Sequence, residues 1–207
     1  MRRALVTYAS GSYAELLEIA RPSFQAFCDR HGYDLIVAEF DEEPRPPSWM
    51  KIPALSEILT SGYDEALFVG SDIVIVDPSD DLDVPGEAWQ ALVAHHTGDG
   101  EVPNADFWLV RKPMLPWLER IWRMTGYTNH GWWEQAALVE LMGYRGRPLH
   151  RAVASDLYER THFLDLAWNV HRHDMRQPER RRVMHATMWP DRAQIMREWA
   201  APVEVAV

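Results

Sequence analysis

The chain has 207 residues, 47% of them hydrophobic, which is enough for one sizeable core and too little for two ordinary domains, so one domain over residues 1–207 is expected. Its formal net charge of −10 repels nucleic-acid phosphates and anionic membrane surfaces, although helix N-termini, a metal ion or a few arginines can still make a local field for a small anion. The single cysteine, Cys28, excludes an intramolecular disulfide and a multi-cysteine zinc site and fits a reducing, cytoplasmic compartment.

After Arg2 and Arg3 the apolar run is far shorter than a signal-peptide core, and no stretch has the length and apolarity of a membrane span. Arg3 to Ala9 is β-rich and stops at Ser10-Gly11-Ser12; Tyr13 to His31 then carries apolar residues at helical spacing. Gly32 sits where a helix C-cap belongs, and Tyr33 to Glu39 follows as a second strand, a βαβ opening that implies a parallel sheet. The acidic, proline-rich stretch from Asp41 to Ser48 is expected as an exposed loop, Lys51 to Thr60 as a helix, and Asp64 to Gly70 as the third strand. Ile73 to Val76 is continuously apolar up to Asp77-Pro78, and the centre of the sheet is expected there. Ala91 to His95 and Phe107 to Arg111 read as strands, and Met114 to Met124 and Trp132 to Met142 as helices. A short strand at Arg182 to His185 and a last helix from Asp191 to Trp199 complete the set. The ten tryptophans are expected chiefly in the core because of their large apolar area.

Asp72 follows a buried strand, where open α/β sheets place their ligand crevice. A carboxylate there can hold a divalent cation bridging two phosphates, since hard cations prefer oxygen ligands; the alternative is an aspartate that caps its own turn. His185, at the end of the Val183-Met184 strand, can reach the same crevice, with a structural histidine as the alternative. The other histidines read as surface or hydrogen-bonded residues, and the basic run Arg176 to Arg182 as a solvated loop able to lend an arginine to a diphosphate.

A set of motifs in fixed order resembles the GT-A glycosyltransferases. LFVGSDIVIVDP (Leu67 to Pro78) is similar to their strand and Asp-x-Asp element, and SWMKIPALSEIL to their tryptophan and lysine helix. PNADFWLVR (Pro103 to Arg111) resembles their segment of Asn, small residue and strand, and HGWWEQAALVELM (His130 to Met142) their aromatic and Asp/Glu-Gln helix. AWN (Ala167 to Asn169) and HATMWPDR (His185 to Arg192) are similar to their C-terminal elements, including a metal-binding histidine. The nearest kinship is to the galactosyl- and mannosyltransferase family and related small bacterial enzymes.

The resemblance implies a central, mostly parallel sheet flanked by helices. It also implies transfer of a sugar, with retention of configuration, from a nucleoside diphosphate donor such as a UDP- or GDP-sugar to the hydroxyl of a small-molecule or glycan acceptor. Thr7, Tyr8, Ala9, Lys51, Ser71, Asp72, Asn104, Ala105 and Asp106 fall on the donor side. Asp72 and His185 are the positions for Mn²⁺ or Mg²⁺, and Glu134 with Gln135 faces the reacting sugar and acceptor. Glu134 would act as base on the acceptor hydroxyl or stabilise the charged sugar in the transition state; a solvated carboxylate at a helix start is the alternative. Tyr8 is a candidate to stack on the base, with a core tyrosine as its alternative, and Asn104 is either a sugar ligand or a turn former. One departure is marked: Gly70 stands where the family has its first aspartate, which implies a weakened metal site. It motivates the alternative of a sugar-nucleotide-binding domain with little turnover. A nucleotidyltransferase ranks last, because SGSYAE lacks the basic residue of a phosphate loop.

Overall fold

A computed structural model describes residues 1–40 and 44–201. Of the expected Asp41 to Ser48 loop, Asp41, Glu42 and Glu43 lie outside the described residues. The opening is β1 (Arg3–Thr7), α1 (Tyr13–His31) and β2 (Asp34–Val37), and Gly32 ends α1 with φ 72°, its N–H bonded to Cys28 O at 2.8 Å. This left-handed cap is open to glycine at no steric cost, which is why the stop was legible. Next come α2 (Lys51–Thr60), β3 (Glu65–Val69), β4 (Ile73–Ile75), β5 (Gln90–Thr97) and β6 (Gly100–Arg111). They are followed by α3 (Leu115–Arg123), α4 (Trp133–Leu141), β7 (Tyr144–Arg145), β8 (His150–Arg151) and α5 (Asp156–Glu159). The chain continues through β9 (Thr161–Leu164), β10 (Val170–His171), β11 (Val183–His185) and α6 (Arg192–Ala200). Among the described residues no helix is long and apolar enough to cross a membrane.

Six strands form the central sheet in the order β2-β1-β3-β6-β5-β9, and β6 alone runs against its neighbours. Strand alternation divides the core into two layers. Ala4, Val6, Phe68, Trp108 and Val110 pack with α2, α3 and α4 on one face, through Leu55, Leu118 and Leu138. Leu5, Leu67, Val69, Phe107 and Leu109 meet α1 and α6 on the other, through Phe24, Phe27 and Met196. Burial on both faces explains why β3 reads as an unbroken apolar run.

Two expectations are corrected. Ile73 to Ile75 is not the centre of the main sheet: the Gly70–Asp72 turn, closed by Ile73 N–H to Gly70 O at 3.1 Å, sends the chain into a second sheet, β10-β11-β4. A continuous apolar run marks burial on both sides, not the sheet a strand joins. Pro103-Asn104 is no turn but part of β6, which has there run past the end of β3 and has β5 as its partner, a position that tolerates proline. The edge strand β9 was not read, its four residues being too short for a period. Of the tryptophans, Trp49, Trp108 and Trp168 are buried as expected, while Trp133 is exposed.

Candidate active site

The parallel strands β1 and β3 end side by side, Val6 opposite Phe68, so Thr7, Tyr8 and Ala9 arrive at the edge where Gly70, Ser71 and Asp72 turn away from β3. This is the C-terminal edge at which open α/β sheets bind ligands. Thr7, Ser71 and Asp72 are buried there, Tyr8 is half-buried with its ring edge-on to Phe40, and the Thr7 hydroxyl oxygen lacks a hydrogen-bond partner.

The small sheet carries His185 to this edge. β11 lies antiparallel to β4, His185 faces Ile73, and Ala186 N–H donates to Asp72 O at 2.8 Å. His185 Nε2 is 3.4 Å from Asp72 Oδ1 and 3.8 Å from Asp106 Oδ2, whereas Arg192 Nη1 is 3.6 Å from Asp72 Oδ2. The two positions the resemblance assigned to a metal therefore meet.

A break in register on the neighbouring β6 completes this edge, where Gly70 N–H donates to Asp106 O at 2.7 Å. On β6 Asn104 faces Val93 and Trp108 faces Leu92, so Ala105, Asp106 and Phe107 bulge from the β5 ladder. Lys51, at the start of α2 and 2% exposed, fills the space behind this bulge. Its Nζ donates to Asp106 Oδ1 at 2.5 Å, Glu134 Oε1 at 2.8 Å and Ala105 O at 3.2 Å, which uses all three ammonium protons. Ser48 Oγ donates to Glu134 Oε2 at 2.7 Å, and Ala105 N–H donates to Gln135 Oε1 at 3.2 Å.

A chain of amides fixes the tautomer of His185. The backbone N–H of Asp106 donates to Asn104 Oδ1 at 2.9 Å, which identifies that atom as oxygen. Asn169 must then offer its NH₂ to the same oxygen, at 3.0 Å, and turn its own oxygen toward His185 Nδ1 at 3.1 Å. In the neutral imidazole the proton thus sits on Nδ1, and the buried Nε2 faces Asp72 and Asp106, whose charges favour a second proton there.

The local charges shift one another. Burial works against the Lys51 ammonium, but the carboxylates of Asp106 and Glu134 outweigh it and raise its pKa. Burial likewise opposes ionisation of Asp106, and Lys51 and His185 reverse this and lower its pKa. At Glu134 burial prevails over Lys51 and the pKa rises. Burial opposes the charged form of His185, yet Asp72 and Asp106 raise its pKa on balance. His171, beside His185 across the β10–β11 ladder, is held down to about 4 by burial and by the imidazoles of His95 and His185.

The sequence-derived residues thus gather at one edge, with two differences of orientation. Glu134 is 1% exposed, with its two oxygens engaged by Lys51 and Ser48, so it is neither a solvated helix-start carboxylate nor open to the cleft. In the basic run Arg180 and Arg182 pair with Asp77 and Asp80, whereas Arg181 lines a cavity together with His185, and Arg192 lies beside Asp72. Ser48, Asn169 and Arg192 lay inside recognised motifs without a role of their own. The buried pair of His95 Nδ1 with Asp174, at 2.9 Å, had no sequence signal, since 79 residues separate its members.

The mainly parallel six-stranded sheet with its flanking helices has the GT-A fold. Among solved structures, the chain is similar to a glycosyltransferase involved in glycosylating the major capsid of PBCV-1, with a TM-score of 0.74 at 14% identity over 96% of this chain and 100% of that one. It is also similar to the glycosyltransferase GlyE of Streptococcus pneumoniae TIGR4, with a TM-score of 0.65 at 15% identity over 97% of this chain and 60% of GlyE. The galactosyltransferase LgtC gives a TM-score of 0.60 at 14% identity, with 95% of each chain covered. No protein-family model and no curated protein matches the sequence. At these identities the likeness establishes the fold.

Proposed function

We propose that the protein is a glycosyltransferase that moves a sugar from a nucleoside diphosphate donor, a UDP- or GDP-sugar, to a hydroxyl acceptor, with divalent-metal assistance. The observation that carries this reading is the convergence of Asp72 Oδ1 and His185 Nε2, 3.4 Å apart, at the C-terminal edge of a GT-A sheet. A buried imidazole beside a carboxylate offers Mn²⁺ or Mg²⁺ one nitrogen and one oxygen, although among the described residues no group of three or more His, Cys, Asp or Glu side chains could hold a metal ion. Bound there with the donor, the metal would neutralise charge on the diphosphate leaving group. Thr7, Tyr8 and Ala9 would receive the base, and Arg192 would add positive charge near the phosphates. Lys51 orients Asp106 and Glu134 from behind, and Gln135 holds the Ala105 backbone of the bulge. The resemblance alone supports retention of configuration.

The test is thermal unfolding with UDP-, GDP- and dTDP-sugars, each with and without Mn²⁺, followed by donor hydrolysis and transfer assays on whichever donor binds. A ligand that binds only the folded state raises its apparent stability. A metal-enhanced shift with one donor and slow release of its nucleotide are expected. Donor binding without hydrolysis or transfer would leave a binding domain, and no shift with any donor would remove the proposal.

A further inference from the structure

Next to the crevice at Asp72 lies a second cavity that shares His185 with it. We propose that this cavity is the acceptor subsite and that it takes an acidic sugar, whose carboxylate or phosphate group is gripped by Arg172 and Arg181. This rests on the glycosyltransferase reading above.

The cavity has a volume of about 420 Å³, within the range of small-molecule pockets. In the small sheet β11 lies between β4, which follows Asp72, and β10. The walls come from β10, β11, the loop that joins them, Trp189 and Trp199; none of Thr7, Tyr8, Ala9, Ser71 and Asp72 belongs to them. The space is therefore separate from the donor edge and touches it at His185, as a second substrate requires.

Its charge is opposite to that of the chain as a whole. Arg181 is exposed and, among the described residues, has no ion-pair, hydrogen-bond or ring partner, although the sequence holds 31 Asp and Glu against 21 Lys and Arg. Its neighbours Arg180 and Arg182 take Asp77 and Asp80 instead. The guanidinium carbon of Arg172 lies 4.4 Å from the centroid of the Trp189 ring, and its Nη1 donates to Met188 O at 3.4 Å. Met188 stands at φ 60°, a left-handed conformation rare for a long side chain, so a strained residue supplies that carbonyl. Stacking fixes the plane of the guanidinium and leaves its other N–H groups for a forked grip on an anion. Asp174, the one carboxylate in the lining, is already committed. Its side chain is 1% exposed and accepts from His95 Nδ1 at 2.9 Å and from the His171 N–H at 3.2 Å, which ties the loop to β5.

The remaining walls suit a sugar ring. Trp189 and Trp199 meet edge to face with centroids 6.1 Å apart and present an apolar surface. Gln177 donates from Nε2 to His171 O at 2.9 Å, which leaves its Oε1 to accept from a hydroxyl.

The experiment titrates the intact chain, R172Q and R181Q with methyl β-glucuronide, glucose 6-phosphate, inorganic phosphate and the neutral methyl β-glucoside, by ligand-observed NMR at low salt. UDP and GDP affinity and donor hydrolysis are measured on the same proteins, and thermal unfolding checks that each variant folds. At least one acidic sugar is expected to bind the intact chain ~10-fold or more tightly than the glucoside and than inorganic phosphate, and the stronger of the two names the acid. Each variant is expected to lose ~10-fold for that sugar while its nucleotide affinity stays within about twofold. Acidic sugars that bind no better than the glucoside, or no better than inorganic phosphate, would overturn the subsite. So would folded variants that bind them like the intact chain. Variants that lose nucleotide affinity ~10-fold would assign the arginines to the donor and overturn it equally. In each of these cases donor hydrolysis by the intact chain leaves the glycosyltransferase reading standing; an intact chain that neither binds nor hydrolyses a donor removes that reading and the acceptor role with it.

Discussion

Replacing Lys51 by Met tests how the site is held together. Lys51 and Glu134 are each 2% exposed in their side chains, and Asp106 is 32% exposed, so the loss falls mainly on Glu134. Removing one member of a buried ion pair costs roughly 3–5 kcal/mol, because the remaining charge has lost its counter-ion away from water, and here only the Ser48 hydroxyl is left to Glu134. For a chain of this size each kcal/mol corresponds to about 2–4 °C in Tm, so the drop is expected to be about 6–20 °C. Glu134 can escape part of this cost by taking up a proton, which makes the loss depend on pH. In the Lys51→Met protein the carboxyl pKa lies above its unfolded value, so the folded state binds the extra proton. The stability deficit then shrinks as pH falls toward the ordinary carboxylate range and is largest above neutrality. The assay is thermal unfolding at pH 5, 7 and 8 of the intact chain, K51M and K51M/E134Q, the last expected to regain a large part of the loss. A K51M deficit below about 1 kcal/mol, or one equal at pH 5 and 8, would refute the buried pair as the internal support of the site.

Other perturbations have their own signatures. Asn169→Leu leaves His185 Nδ1 without its partner and takes one of two donors from Asn104 Oδ1, and is expected to cost about 1–3 kcal/mol and to weaken Mn²⁺ binding, read by chemical unfolding and by metal titration. His171 is held down to about 4 when folded and titrates near 6.5 when unfolded, so the unfolded chain binds the extra proton between these values. Stability should fall as pH drops from 6.5 to 4, and comparison with His171→Gln should remove that part of the slope. Tyr8→Ala is expected to weaken nucleotide binding about tenfold if the ring stacks on the base, a contact worth roughly 1–3 kcal/mol; equal affinity by calorimetry would exclude the stack.

The fold was legible wherever a local rule acts alone. The apolar period of α1 ended by Gly32, and the β-rich runs of β1, β2 and β3, each needed only their own residues. The site was legible as a set of positions, because the motifs supply Asp72, Asn104, Asp106, Glu134 and His185 in order. Their orientations were not. Whether Glu134 faces a sugar or a lysine depends on Lys51, 83 positions earlier by number, and on the depth to which α2 and α4 sink behind β6. Likewise, nothing local in PNAD distinguishes a turn from a strand with three bulged residues; only pairing with β5 and β3 decides it.

The small β10-β11-β4 sheet has a consequence for the order in which the molecule is made. Its antiparallel pairing joins residues 73–75 to residues 183–185, and His185 reaches Asp72 through that pairing alone. Of the other pieces of the site, those from Thr7 to Gln135 come earlier in the chain while Asn169 and Arg192 lie close to β11, so a ribosome can have released most of the central sheet while the cleft still has an open flank. Contacts of such long sequence separation form late and slowly. A nascent chain that stops short of β11 therefore carries most of the scaffold and lacks the imidazole, so His185 joins the site only once β11 has emerged.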